Sequence, residues 1–188
     1  MAPVESLPAS GRPLGEFWAD ARTLSREAFL ATFPDPVLLE LAGPPDAALR
    51  QFETMVVEAR ANITHAGAGA DPDAGVGPES RVFAIRKCTR MFPGKITVGR
   101  TTNNDLILRE GRVSKLHAWF VREGETCTLV DAESSNGTFV NGTRLAPLGR
   151  ADLKPRDQVA FGSQARFVYV PAAQFFRRAP FLVKGGPR

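Results

Sequence analysis

Residues 134–145 read SSNGTFVNGTRL, two turns separated by two short extended arms. Asn141-Gly142 is the residue pair of a two-residue hairpin loop, because Asn and Gly both tolerate the positive φ that such a turn demands. Phe139-Val140 and Thr143-Arg144-Leu145 supply the strands on either side. Working outward, the same period of two recurs. Ile96 and Val98 alternate with Lys95 and Thr97, Thr126 and Thr128 with Cys127 and Leu129, and Val159, Phe161, Phe167 and Tyr169 continue the pattern. Leu106 and Leu108 flank Ile107 in a shorter apolar run. Many short strands separated by Gly and Asn turns predict a mainly β fold, a two-sheet β-sandwich.

Upstream the period changes. Leu14, Phe17, Trp18, Ala21 and Leu24 recur at steps of three and four, which predicts a helix. Ser25 is placed to cap a second, with Leu24 and Phe29 at the spacing of a hydrophobic staple, and Pro34 and Pro36 stop it. Leu49, Phe52, Val56, Ala59 and Ile63 predict another helix behind Asp46. Residues 65–79, HAGAGADPDAGVGPE, lack periodicity and read as a linker. The expected organisation is a helical segment over 1–64, a flexible linker over 65–79, a β domain over 80–171 and a tail over 172–188. Phe175, Phe176 and Phe181 alternate there with Arg177 and Arg178, a pattern expected to pack back on the domain.

Three polar clusters interrupt the strands: Gly99-Arg100, Ser114-Lys115-Leu116-His117, and Ser134 to Thr138. They combine an Arg, a Lys and small hydroxyl and amide side chains, with Glu133 the acid beside them. Arg offers a planar bidentate fork, Ser a short directional donor and Lys a point charge, a set suited to a dianionic oxygen cluster. The clusters hold no nucleophile with an adjacent base and no metal shell, so the expected chemistry is anion binding without turnover, needing neither metal nor cofactor.

In order and spacing, Gly99-Arg100, Asn104-Asp105-Leu106, Ser114-Lys115-Leu116-His117, Ser135-Asn136-Gly137-Thr138-Phe139-Val140-Asn141-Gly142 and Phe161-Gly162 resemble a forkhead-associated (FHA) domain over roughly residues 80 to 170. The resemblance implies a β-sandwich whose loops at one end read phosphothreonine peptides. It places Arg100 and Ser114 on the phosphate, with Lys115 adding charge and Ser135 assisting through its hydroxyl. Asn136 would hold the peptide backbone. Arg112, two residues before Ser114, lies where family members read the third residue beyond the phosphothreonine, and an arginine there would favour an acid. His117 would brace the loops, while Gly99, Gly137, Asn141 and Gly142 would be structural, the glycines permitting tight turns. The implied partner is a phosphothreonine-containing protein, a substrate of a Ser/Thr kinase, and the implied role a signalling adaptor.

Composition narrows the classes without choosing one. A hydrophobic share of 43% and a charged share of 23% are those of a globular protein, and the net charge of +4 is spread among acids rather than along one stripe. Two cysteines, Cys88 and Cys127, sit in apolar stretches; a pairing stays open, but buried free thiols are the commoner arrangement and the expected one. No apolar run reaches membrane-spanning length and no secretory leader is visible, so a cytoplasmic location is expected, and Asn62, Asn136 and Asn141 are then not glycosylation sites. Two alternatives stay open: a nucleic-acid-associated regulator, from the basic tail, and an FHA fold used for phospho-independent contact. A last expectation is intramolecular. Thr32, followed by Phe33-Pro34-Asp35, could act as an internal ligand once phosphorylated if the linker lets it reach the loops.

Overall fold

The computed structural model describes residues 7–41 and 75–184. Twelve strands, β1 (Arg12–Pro13), β2 (Val37–Glu40), β3 (Arg81–Ala84), β4 (Ile96–Gly99), β5 (Leu106–Ile107), β6 (Ala118–Glu123), β7 (Thr126–Asp131), β8 (Thr138–Val140), β9 (Thr143–Arg144), β10 (Arg150–Asp152), β11 (Gln158–Phe161) and β12 (Ala165–Val170), form two sheets. One runs β1-β3-β2-β12-β11-β8-β9 and the other β10-β7-β6-β4-β5; every pairing is antiparallel except β4 with β5. The hairpin at 141–142 forms as expected, with Val140 opposite Thr143 and φ of 49° at Asn141 and 79° at Gly142.

Alternation divides each inner strand between two cores. Leu38, Phe83, Phe167 and Tyr169 point between the sheets, joining Val98, Phe120, Leu129 and Phe161. Val37, Leu39, Val82, Val168 and Val170 point outward into a second core. That outer core is closed by three helices, α1 (Leu14–Ala21), α2 (Arg26–Thr32) and α3 (Ala172–Lys184). Ser25 caps α2, accepting from the Ala28 N–H at 3.2 Å. Phe17 stacks on Phe175 at 5.7 Å, and Phe29 and Phe33 meet them edge-on or tilted. The tail thus packs back as α3 through buried Phe175, Ala179 and Leu182.

Three expectations need correction. The segment before residue 65 is helical only in part, since β2 inserts between β3 and β12 in the centre of the larger sheet. Val-Leu-Leu buries both faces there, and a strand buried on both faces shows no alternation to read. The helix expected behind Asp46 and residues 65–74 of the linker lie outside the described residues. Cys88 is exposed, with its Sγ 3.6 Å from the Arg86 carbonyl; Cys127 alone is buried, and burial pushes its thiol up to about 11. Thr32 is not on a swinging arm. Its hydroxyl donates to the Ala28 carbonyl at 2.8 Å, and α2 is anchored by Phe29. Asp35, just beyond, is ion-paired with Arg122 towards the far end of β6 from the polar clusters.

Candidate functional site

The three polar clusters meet at one end of the sandwich, where the loops before β5, before β6 and before β8 converge. The Arg100 N–H donates to the Ser114 carbonyl at 3.0 Å, joining the first loop to the second. The Ser135 N–H donates to the Ser114 Oγ at 3.2 Å, joining the third. Asn136 Nδ2 donates to the Arg112 carbonyl at 2.8 Å, which ties the same loop to the start of the second. Arg100, Ser114, Ser135, Asn136 and Arg112 are therefore one continuous network, and Lys115 follows Ser114 directly.

Electrostatically the surface is open to a ligand. Arg100, Arg112, Lys115, Ser135 and Asn136 are exposed and Ser114 is half-buried. Among the described residues, the charged ends of Arg100, Lys115 and Arg112 make no ion pair or hydrogen bond. Three cations without counter-ions, beside hydroxyl and amide groups, raise the local potential for an anion.

Buried polar residues hold these loops still. His117, fully buried at the end of the second loop, accepts the Ser114 N–H at Nδ1 (3.0 Å) and so carries its proton on Nε2, which donates to the Gly137 carbonyl at 3.1 Å. Its ring meets Phe161 edge-on at 5.7 Å. Burial holds the His117 pKa below its ordinary value, outweighing the Gly137 carbonyl and the Asp131 carboxylate, which pull it up. Protonation would set an Nδ1–H against the Ser114 N–H. The unfolded chain, titrating near pH 6.5, binds that proton first, so the His117 contribution to stability is present above about pH 6.5 and lost as pH falls below it. Proton NMR of the imidazole, with His65→Gln to isolate it, is expected to give a midpoint below 6.5. A midpoint at or above that value would contradict the bracing geometry.

Asn104 braces the first loop, its Nδ2 donating to the Thr101 carbonyl (2.9 Å) and the Lys115 carbonyl (2.8 Å). Gly99 makes this approach possible, because a Cβ there would lie 2.2 Å from the Lys115 oxygen. In the third loop Asp131 is the hub: its Oδ1 accepts from the Ser134 and Thr138 hydroxyls, both at 2.6 Å, and its Oδ2 from the Ser134 N–H at 3.1 Å. Gly137, with φ of 84°, leaves room for the Arg144 side chain, whose Nε would stand 2.5 Å from an added Cβ. Sequence reasoning missed Asp131, and placed Ser134 in the polar cluster without this partner. The signal available was an Asp at a strand end with hydroxyls three and seven residues on, the pattern of a side chain capping its own turn.

Among the described residues there is no group of three or more His, Cys, Asp or Glu side chains able to hold a metal ion. No helix among them is long and apolar enough to cross a membrane.

The family model of the FHA domain matches residues 96–162. Protein FraH of Nostoc is 29% identical over 122 residues, 65% of this chain and 38% of that protein. The ABC transporter ATP-binding/permease protein Rv1747 of Mycobacterium tuberculosis is 40% identical over 53 residues, 28% of this chain and 6% of the transporter. The chain thus spans well under half the length of either relative. Among solved structures, the FHA domain of the CT664 protein from Chlamydia trachomatis is similar at 19% identity and a TM-score of 0.46, covering 72% of this chain and 96% of that one. With the family model spanning β4 to β11 and the loops between them, this chain carries an FHA domain.

Proposed function

We propose that this chain is a phosphothreonine-dependent protein-binding module serving as an adaptor in Ser/Thr kinase signalling. The observation that carries the reading is the convergence of Arg100, Ser114, Lys115, Ser135 and Asn136 on one exposed, acid-poor surface at the loop end of an FHA sandwich. A phosphate monoester brings close to two negative charges and three acceptor oxygens, which an unpaired guanidinium, an ammonium and neighbouring hydroxyls match in sign and geometry. Arg100 and Ser114 contact the phosphate, Lys115 adds charge, Ser135 donates its hydroxyl, and Asn136 holds the partner's backbone. The partner is a phosphothreonine-containing substrate of a Ser/Thr kinase. Screening the protein against paired phosphothreonine and unphosphorylated peptide libraries tests this. Selective retention of the phosphorylated set is expected; equal retention of both sets would overturn it.

Arg112 sets a preference within that reading. Its carbonyl is taken by Asn136, while its exposed guanidinium has no partner among the described residues and does not hold the loop. Opposite an Asp or Glu three residues beyond the phosphothreonine it makes an exposed ion pair, worth roughly 0.2–1 kcal/mol. Titration calorimetry is expected to show peptides with Asp there binding about 1.4- to fivefold tighter than peptides with Ala. Arg112→Ala should level the two. Equal affinity of both peptides for the unaltered protein would remove the role.

A further inference from the structure

Four large apolar side chains are exposed among the described residues, and two of them, Met91 (47% exposed) and Phe92 (44%), are neighbours on the loop between β3 and β4. Phe92 also has a φ of 52°, a left-handed conformation that is costly for a bulky residue and persists only where its surroundings enforce it. The surroundings supply that constraint. Asp105, its carboxylate fully buried, accepts from the Cys88 N–H (2.7 Å), the Thr89 N–H (2.6 Å) and the Lys87 ammonium (2.7 Å), and Lys87 also donates to the Met91 carbonyl at 2.5 Å. The loop is built to hold two apolar side chains out in water.

Asp105 follows Asn104, the residue that grips the Thr101 and Lys115 carbonyls. Adjacent residues thus clamp the Met91 loop on one side and the Arg100 loop on the other, and Asn103 Nδ2 lies 4.0 Å from the Met91 Sδ. The contacts run in order from Met91 through Asn103, Thr101 and Arg100 to Ser114, then Ser135, Asn136 and Arg112. The apolar knuckle is therefore continuous with the anion-binding loops, on the flank away from Arg112.

We propose that Met91 and Phe92 form a subsite for a large apolar side chain of the phosphorylated partner, on the N-terminal side of its phosphothreonine. The assignment rests on the phosphothreonine reading above, with Arg112 facing the C-terminal side. Met and Phe suit the role: a polarizable, flexible thioether and a flat ring together cover a Leu, Ile or Met of varied shape. Their exposure leaves the free protein little to lose when they are replaced.

Fluorescence anisotropy tests this with phosphothreonine peptides carrying Leu or Ser at each position N-terminal to the modified residue. At one such position Leu is expected to bind roughly tenfold tighter than Ser, the equivalent of about 1.4 kcal/mol of apolar burial. A Met91→Ser/Phe92→Ser protein, checked for an unchanged melting temperature, should lose that difference while binding the Ser peptide as the unaltered protein does. Phosphopeptide binding with no Leu preference at any N-terminal position, or a preference that survives in the double variant, overturns the subsite alone. Equal binding of phosphorylated and unphosphorylated Leu peptides overturns the phosphothreonine reading while the Leu-to-Ser difference still decides the subsite. Absence of binding to any peptide overturns both.

Discussion

Asp105→Ala is expected to be the most destabilising single substitution in the loop end of the sandwich, lowering the free energy of unfolding by about 2–3 kcal/mol, the cost of leaving the donors around a buried carboxylate without their acceptor. The carboxylate is wholly shielded from solvent, and five donors converge on it: the Lys87 ammonium, the Cys88, Thr89 and Thr97 N–H groups, and the Thr97 hydroxyl at 3.0 Å. Burial alone would raise its pKa; the Lys87 ammonium and the three backbone donors outweigh that and bring it to about 2. A folded value below the unfolded one means that the group stabilises the fold above about pH 4, and that this contribution, about 2 kcal/mol, is lost as pH falls from there towards 2. Urea titrations of the unaltered protein and Asp105→Ala at neutral pH measure the first effect. The same titrations repeated between pH 5 and 2 measure the second, since the Ala variant lacks that part of the acid sensitivity. A change below 1 kcal/mol at neutral pH would mean that the donors find water instead.

Arg100→Ala is expected to leave stability unchanged to within about 0.5 kcal/mol, yet weaken phosphopeptide binding roughly tenfold to hundredfold. The two halves follow from the same geometry. The Arg100 backbone N–H, which holds Ser114, survives the substitution, while the exposed guanidinium has no partner among the described residues to lose. Its charge-assisted contact with a phosphate, worth about 1.5–3 kcal/mol, is made only in the complex. Arg100→Lys should recover part of the affinity, since the charge remains and the fork is lost. Calorimetry and thermal melting on the same samples separate binding from folding. An Arg100→Ala protein that binds as tightly as the unaltered one would dismiss the assignment.

The residues that decide the sandwich were legible because they are punctuation: Asn141-Gly142 and the alternation around Ile96, Thr126 and Phe167 admit few other readings. The loop cluster was legible because its members are polar residues at strand ends, and the family resemblance added the roles. What escaped has a common cause. Val37-Leu38-Leu39 is apolar on both faces, so its strand character comes from partners far along the chain and leaves no local mark. Asp105 was quoted as part of a motif without its role, because its five donors come from residues scattered between Lys87 and Thr97. Met91 and Phe92 drew no notice, since a lone apolar pair in a loop reads as nothing until its exposure and its bracing are seen.

The position of β2 sets the order in which the molecule can assemble. Its neighbours are β3 and β12, with Val37 opposite Val170 and Glu40 opposite Phe167, so β2 waits for a strand far further along the chain. At the usual pace of synthesis that wait is on the order of ten seconds. Throughout it, Val-Leu-Leu is an unpaired edge of high aggregation hazard, and the aromatic side chains of α1 and α2 have no α3 to close over them. The larger sheet can be completed only by closing its longest loop, which makes non-local pairing the slow event in folding. The smaller sheet is different. Its strands β4 to β7 and β10 lie close together in the chain, so the surface that bears Arg100 and Ser114 can take shape before the sheet behind it is whole.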